Sequence, residues 1–196
     1  MKTLFKSLIL TLALFCYSNT RAATSPVAIG LLPPLQFPPT DFDVTGLRLS
    51  LLWGKQRTMS GLDFGVLGNI TDQTSSGLSF AGLVNYVGGT TNALQVAGLA
   101  NVNMGKTTIY GLQLALVNYN PAESTVGGFQ LGLVNMSSFT NICGLQVGAY
   151  NTARTVHGLQ IGLINVTDSL HGLQIGLLNF NHTGLFVVSP IINAGF

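Results

Sequence analysis

Only 7% of the 196 residues are charged and 47% are hydrophobic, with 24 glycines. Globular domains carry about 25% charged residues, so an ordinary water-facing surface is excluded. The formal charge of +2 is concentrated in the first residues; from residue 23 onward five basic side chains face six acidic ones, which leaves no basic patch for nucleic acid.

Lys2 and Lys6 precede the apolar run from Leu8 to Phe15, and Ala22 and Ala23 follow. That order predicts a secretory signal peptide over residues 1–22, with residues 23–196 as a single β-repeat domain. After its removal Cys143 is the lone cysteine. It can form no internal disulfide and reads as a small buried hydrophobe. A first strand is predicted from Pro26 to Leu32. Pro33, Pro34, Pro38 and Pro39 bar a central strand between Pro33 and Asp43, so that stretch reads as a loop or an insert. A second strand follows from Thr45 to Trp53. Trp53, beside Gly54, Lys55 and Arg57, has the character of an interfacial anchor.

From Gly61 almost to the end a short unit recurs, clearest as GLQLALVN from Gly111, GFQLGLVN from Gly128, GLQVGAYN from Gly144, GLQIGLIN from Gly158 and GLQIGLLN from Gly172. Its closing asparagines (Asn69, Asn85, Asn101, Asn118, Asn135, Asn151, Asn165, Asn179, Asn193) are spaced by 14 to 17 residues. Within a unit the alternation has period two, as in a strand. Leu173, Ile175 and Leu177 lie on one face, and Gly172, Gln174 and Gly176 on the other. The centre of the second face is polar in every unit: Arg48, Asp63, Ser79, Gln95, Gln113, Gln130, Gln146, Gln160 and Gln174.

Apolar on one face, polar on the other, rich in glycine and lacking any run of about 18 apolar residues after residue 23, the chain predicts an all-β fold. The favoured form is an antiparallel transmembrane β-barrel of about 10–12 strands. The alternative is a β-solenoid, whose parallel coils would stack the same Gln and Asn residues into ladders. A strand from Leu170 to Asn179 would be about 33 Å long, whereas the four residues from Phe180 to Thr183 reach at most about 14 Å. They allow a hairpin but no return, unless each unit folds back near its second glycine. Aromatic residues beside the closing Asn in alternate units (Tyr86, Tyr119, Phe180, with Tyr150 just before Asn151) suggest, with Trp53, a membrane-interface girdle. Phe196, ending an alternating strand with Ile192 and Ala194, fits a C-terminal assembly signal. In a barrel the polar column becomes a ring halfway down the lumen, with Arg48 and Asp63 able to pair on neighbouring strands.

The GxQxGxxN units, together with IGLLPPLQFPPTD, GLRLSLLWG and VVSPIINAGF, resemble the bacterial surface-repeat proteins of spirochaetes and other Gram-negative lineages. The resemblance covers nearly all of residues 28–196. It implies an outer-membrane or cell-surface location and supplies no catalytic residue.

His157 and His171 precede the glycine in consecutive units, and His182 follows. In an antiparallel barrel they fall at opposite strand ends; in a solenoid they would stack. Three histidines could hold a metal, and Asp168, His171 and Ser169 could form a hydrolytic set, but neither arrangement has a supporting motif. The expectation is therefore a non-enzymatic, cofactor-free structural or interaction protein of the outer membrane or cell surface. Its expected partners are outer-membrane lipid, the barrel-assembly machinery and a host or envelope protein. The alternatives are a narrow passive channel constricted at the Gln ring and a secreted or surface β-solenoid binding module.

Overall fold

The computed structural model describes residues 23–196; the signal-peptide segment 1–22 lies outside the described residues. All fifteen strands belong to one continuous sheet and no helix occurs among the described residues. The repeats run in the same direction. Gly128 pairs with Gly111 on one side and Gly144 on the other, and Gly144 pairs in turn with Gly158 and Gly158 with Gly172, always in parallel register. The fold is a β-solenoid, and the antiparallel barrel is corrected on this point.

What reverses the expectation is a corner at the second glycine of the middle units, or at Ala115 where that glycine is replaced. Strand β11 (Ser124–Leu131) ends just before Gly132, and β12 (Val134–Val147) starts just after Leu133; the same break falls at Gly148-Ala149 and Gly162-Leu163. The long strand assumed from the alternation is therefore two arms joined at a corner, and the reach limit no longer forbids a return. The first arm holds the GLQI segment. The second holds the closing Asn and pairs only with other second arms, as in Val117↔Val134 and Val134↔Tyr150.

A further bend sits at the first glycine of the unit. Gly46, Gly61, Gly77, Gly111, Gly128, Gly144, Gly158 and Gly172 all have φ between +100° and +146°, where a Cβ is disfavoured. At Gly158 a Cβ would also stand 2.2 Å from the carbonyl oxygen of Gly144, one coil below. Ala93 fills this place in one coil. It turns inward and is buried, and the pairing between β7 (Thr90–Ala97) and β9 (Thr107–Leu114) shifts register there. Among these places Ala93 alone lacks a positive φ.

Both ends are closed. β1 (Thr24–Leu32) adds a parallel strand to β3 (Asp43–Ser50) and an antiparallel partner, β2 (Leu35–Phe37). The proline-rich stretch, expected as a loop or insert, thus folds over the first coil. The Gln36 side chain donates to the Lys55 carbonyl at 2.6 Å and accepts from the Lys55 amide at 3.2 Å, replacing a missing rung. At the other end β15 (Val188–Gly195) lies antiparallel on β14 (Ile164–Asn181). Pro26 and Pro190 lie in these terminal strands and lack the amide hydrogen that edge-to-edge pairing needs.

Candidate functional site

Much of the interior of the coils is polar. Gln95, Gln113, Gln130, Gln146, Gln160 and Gln174 are fully buried. From Gln113 onward each donates through Nε2 to the Oε1 one coil earlier: Gln113 to Gln95 at 3.2 Å, Gln130 to Gln113 at 2.8 Å, Gln146 to Gln130 at 2.6 Å, Gln160 to Gln146 at 2.6 Å and Gln174 to Gln160 at 2.7 Å; Gln95 itself donates to Asn103 at 3.0 Å. The sequence places these residues correctly on the inner face. Their setting is a ladder along the axis of the coils, which replaces the ring expected halfway down a barrel lumen.

The closing asparagines form a second ladder that runs the other way. Asn118 donates to Asn135 at 2.8 Å, Asn135 to Asn151 at 2.7 Å, Asn151 to Asn165 at 2.8 Å and Asn165 to Asn179 at 2.8 Å. Each also donates across the corner to the end of the first arm, as Asn165 does to the Ile175 carbonyl at 3.0 Å. The small residue at the fifth place of the motif follows from this. A Cβ on Gly162 would lie 2.6 Å from Asn151 Nδ2. These asparagines end no strand; they brace the corner from within.

The polar column starts differently. Arg48 Nε donates to Asp63 Oδ1 at 2.7 Å and Nη2 to Oδ2 at 2.5 Å, with both side chains buried. Arg48 also reaches the Ile70 carbonyl at 3.0 Å, and Ser79 donates to Asp63 at 3.3 Å. The predicted pairing of Arg48 with Asp63 is present, between parallel neighbours. A bidentate guanidinium and carboxylate satisfy one another where a lone charge could not stay buried. Two residues before the bend glycine, a column including Ile109, Val126, Ile142, Val156 and Leu170 supplies the apolar core that the sequence reading did not single out.

The aliphatic face points outward along the whole stack. Leu62, Leu78, Leu114 and Phe129 on first arms, Leu116, Leu133, Leu163 and Leu177 at corners, and Tyr86, Met136, Tyr150 and Ile164 on second arms are all exposed. Phe64 and Phe80 stack at 5.2 Å on neighbouring rungs. Where the first arm meets the corner, the surface is furrowed. One furrow of about 620 Å³ is lined by Ile29, Leu49, Phe64, Phe80 and Val66, and another of about 520 Å³ by Leu114, Leu116, Leu131 and Leu133. The charged side chains gather instead at the loop between second and first arms. Arg57 binds Asp43 through two bonds there, and its guanidinium holds the Asp43 carboxyl below the usual carboxylate range.

The predicted aromatic girdle is also corrected. Trp53 and Tyr150 occupy the column before the closing Asn, and Tyr86, Tyr119 and Phe180 the column after it. They lie on one side and at many heights, because parallel coils give no rim. Trp53 lies over Gly68, where a Cβ would stand 2.2 Å from its ring. Phe196 projects fully exposed beyond β15; as an assembly signal it presumed a barrel seam, and this strand instead closes a stack.

Cys143 is exposed rather than buried. It faces outward one residue before the bend, in one column with His157 and His171. The two imidazoles stack at 4.5 Å, as the solenoid alternative requires. His182 lies apart and bonds Asp168 at 3.0 Å, so Asp168, His171 and Ser169 do not assemble. Among the described residues no three His, Cys, Asp or Glu converge on a metal position.

The chain matches no known protein-family model, no curated protein and no solved structure.

Proposed function

We propose that the chain is an exported, non-enzymatic β-solenoid of a bacterial cell envelope, serving at the surface as a structural or docking element. The observation that carries this reading is the inverted distribution of side chains: amide ladders fill the interior, while leucine, valine and isoleucine cover two outer faces and the corner between them. Exposed apolar areas beyond a few hundred Å² mark interaction surfaces, and here the apolar cover runs the length of the stack. The signal-peptide pattern of residues 1–22 and the likeness of the GxQxGxxN units to bacterial surface-repeat proteins support an envelope location.

The location is tested with Cys143, whose exposure makes it a reporter. Intact Gram-negative cells producing the full chain are treated with a membrane-impermeant maleimide and then fractionated. Labelled protein in the envelope fraction is expected; protein found unlabelled in the cytosol defeats the proposal.

A further inference from the structure

Resting on the envelope reading, we infer that the apolar outer faces lie in the acyl layer of a lipid leaflet, with the charged edge turned to water. The protein would sit in one leaflet and would not span the bilayer.

Hydrocarbon demands that no peptide group be left unpaired. Away from the end strands and the first coil, every arm pairs with the coil above and below, and the corners obey the same rule. Leu133 N donates to Leu116 O at 2.8 Å, Ala149 N to Leu133 O at 2.8 Å and Leu163 N to Ala149 O at 3.0 Å. The outer faces therefore offer side chains alone, and apart from Lys55 and Thr152 on the second-arm face those side chains are alkyl or aromatic.

Charge complementarity points the same way. Arg57, Asp72, Lys106, Glu123, Arg154 and Asp168 all fall between a second arm and the next first arm, on the edge opposite the leucine corner. Lys55 starts a second arm but reaches back to Asp72 at 3.3 Å. Protein interfaces carry about one hydrogen bond per 100–200 Å²; the leucine columns have no donors or acceptors to supply them.

Area separates lipid from a second copy of the chain. Nine rungs at about 4.8 Å make a stack about 40 Å long, and an arm of three or four residues is about 10–13 Å wide. Each flat face thus measures roughly 400–500 Å², short of the roughly 800 Å² per partner of a stable dimer. Both faces together suffice, but they meet at a corner, and a flat partner covers only one. Fluid acyl chains cover both, and the furrow beside Phe64 and Phe80 gives them a seat.

Trp53 is the single tryptophan, half-buried on the second-arm face. Purified full-length chain is floated with phosphatidylcholine vesicles, with and without brominated acyl chains. Co-flotation and at least a twofold quenching of Trp53 by the brominated lipid are expected. Leu133→Asp combined with Leu177→Asp, at exposed corner sites, should lower the floated fraction at least tenfold, while Arg154→Ala leaves it unchanged. Absence of flotation, flotation without quenching, or a lipid-free dimer that dissociates in the double variant and ignores vesicles would each overturn the inference. Envelope residence without vesicle binding defeats this inference and spares the location; vesicle binding by a chain that stays in the cytosol does the reverse.

Discussion

Adjacent glycines in one strand offer a sharp test of parallel stacking. Gly128 has φ +127°, and a Cβ there would lie 2.3 Å from the carbonyl oxygen of Gly111 and 3.0 Å from its carbonyl carbon; at Gly127 the nearest atom is 3.7 Å away. In Gly128→Ala the backbone conformation costs about 1–3 kcal/mol. Relieving the contact parts two rungs by about an ångström and weakens two or three backbone hydrogen bonds, each worth about 1 kcal/mol. The smaller entropy of the unfolded variant returns about 0.4–1 kcal/mol. The net loss is about 2–5 kcal/mol, or roughly 4–20 °C in Tm for a chain of this size. Gly127→Ala should be neutral or slightly stabilising. Circular dichroism melts give the stabilities, and hydrogen exchange should place the loosening at the rungs of Gly111, Gly128 and Gly144. Equal Tm values for the two variants would refute the stacking argument.

Three further outcomes can be checked. Gln146→Leu strands Gln160 Nε2 and removes a donor from the Thr152 carbonyl; a loss of about 2–4 kcal/mol in urea unfolding is expected, and an unchanged midpoint would show that the ladder contributes nothing. Arg48→Met leaves the Asp63 carboxylate buried without its partner and should cost about 3–5 kcal/mol, most of it restored in Arg48→Met/Asp63→Leu; failure of the double variant to recover would contradict the pairing. The Asp43 carboxyl titrates below its ordinary range because of its bond to Arg57. Its contribution is present above the unfolded value near pH 4 and vanishes as pH falls through the lower folded value. Melting curves below about pH 5 should therefore fall less steeply for Asp43→Asn than for the parent chain.

The division between faces was legible in the sequence. The central glutamines of the units are inside, the leucines beside them are outside, and Arg48 meets Asp63. What alternation cannot encode is direction, because period two reads the same for a strand running up or down. The barrel followed from treating Gly162-Leu163 and its equivalents as mid-strand. Those glycines are small because the asparagine side chains lie behind them, and the corner they form is what lets the chain return. Tyr86, Tyr119 and Phe180 can fall in alternate units of parallel coils without any membrane rim. Cys143 was misjudged for a different reason. Its apolar neighbours Ile142 and Leu145 lie on opposite sides of the sheet, and the cysteine falls on the outward side just before the bend.

The two amide columns run in opposite senses, Gln side chains donating toward the start of the chain and Asn side chains toward its end. Their bond moments therefore oppose along the axis, as in two bar magnets laid side by side with opposite poles together. A stack so rich in buried amides can be lengthened or shortened by a coil without building up a charged pole at either tip.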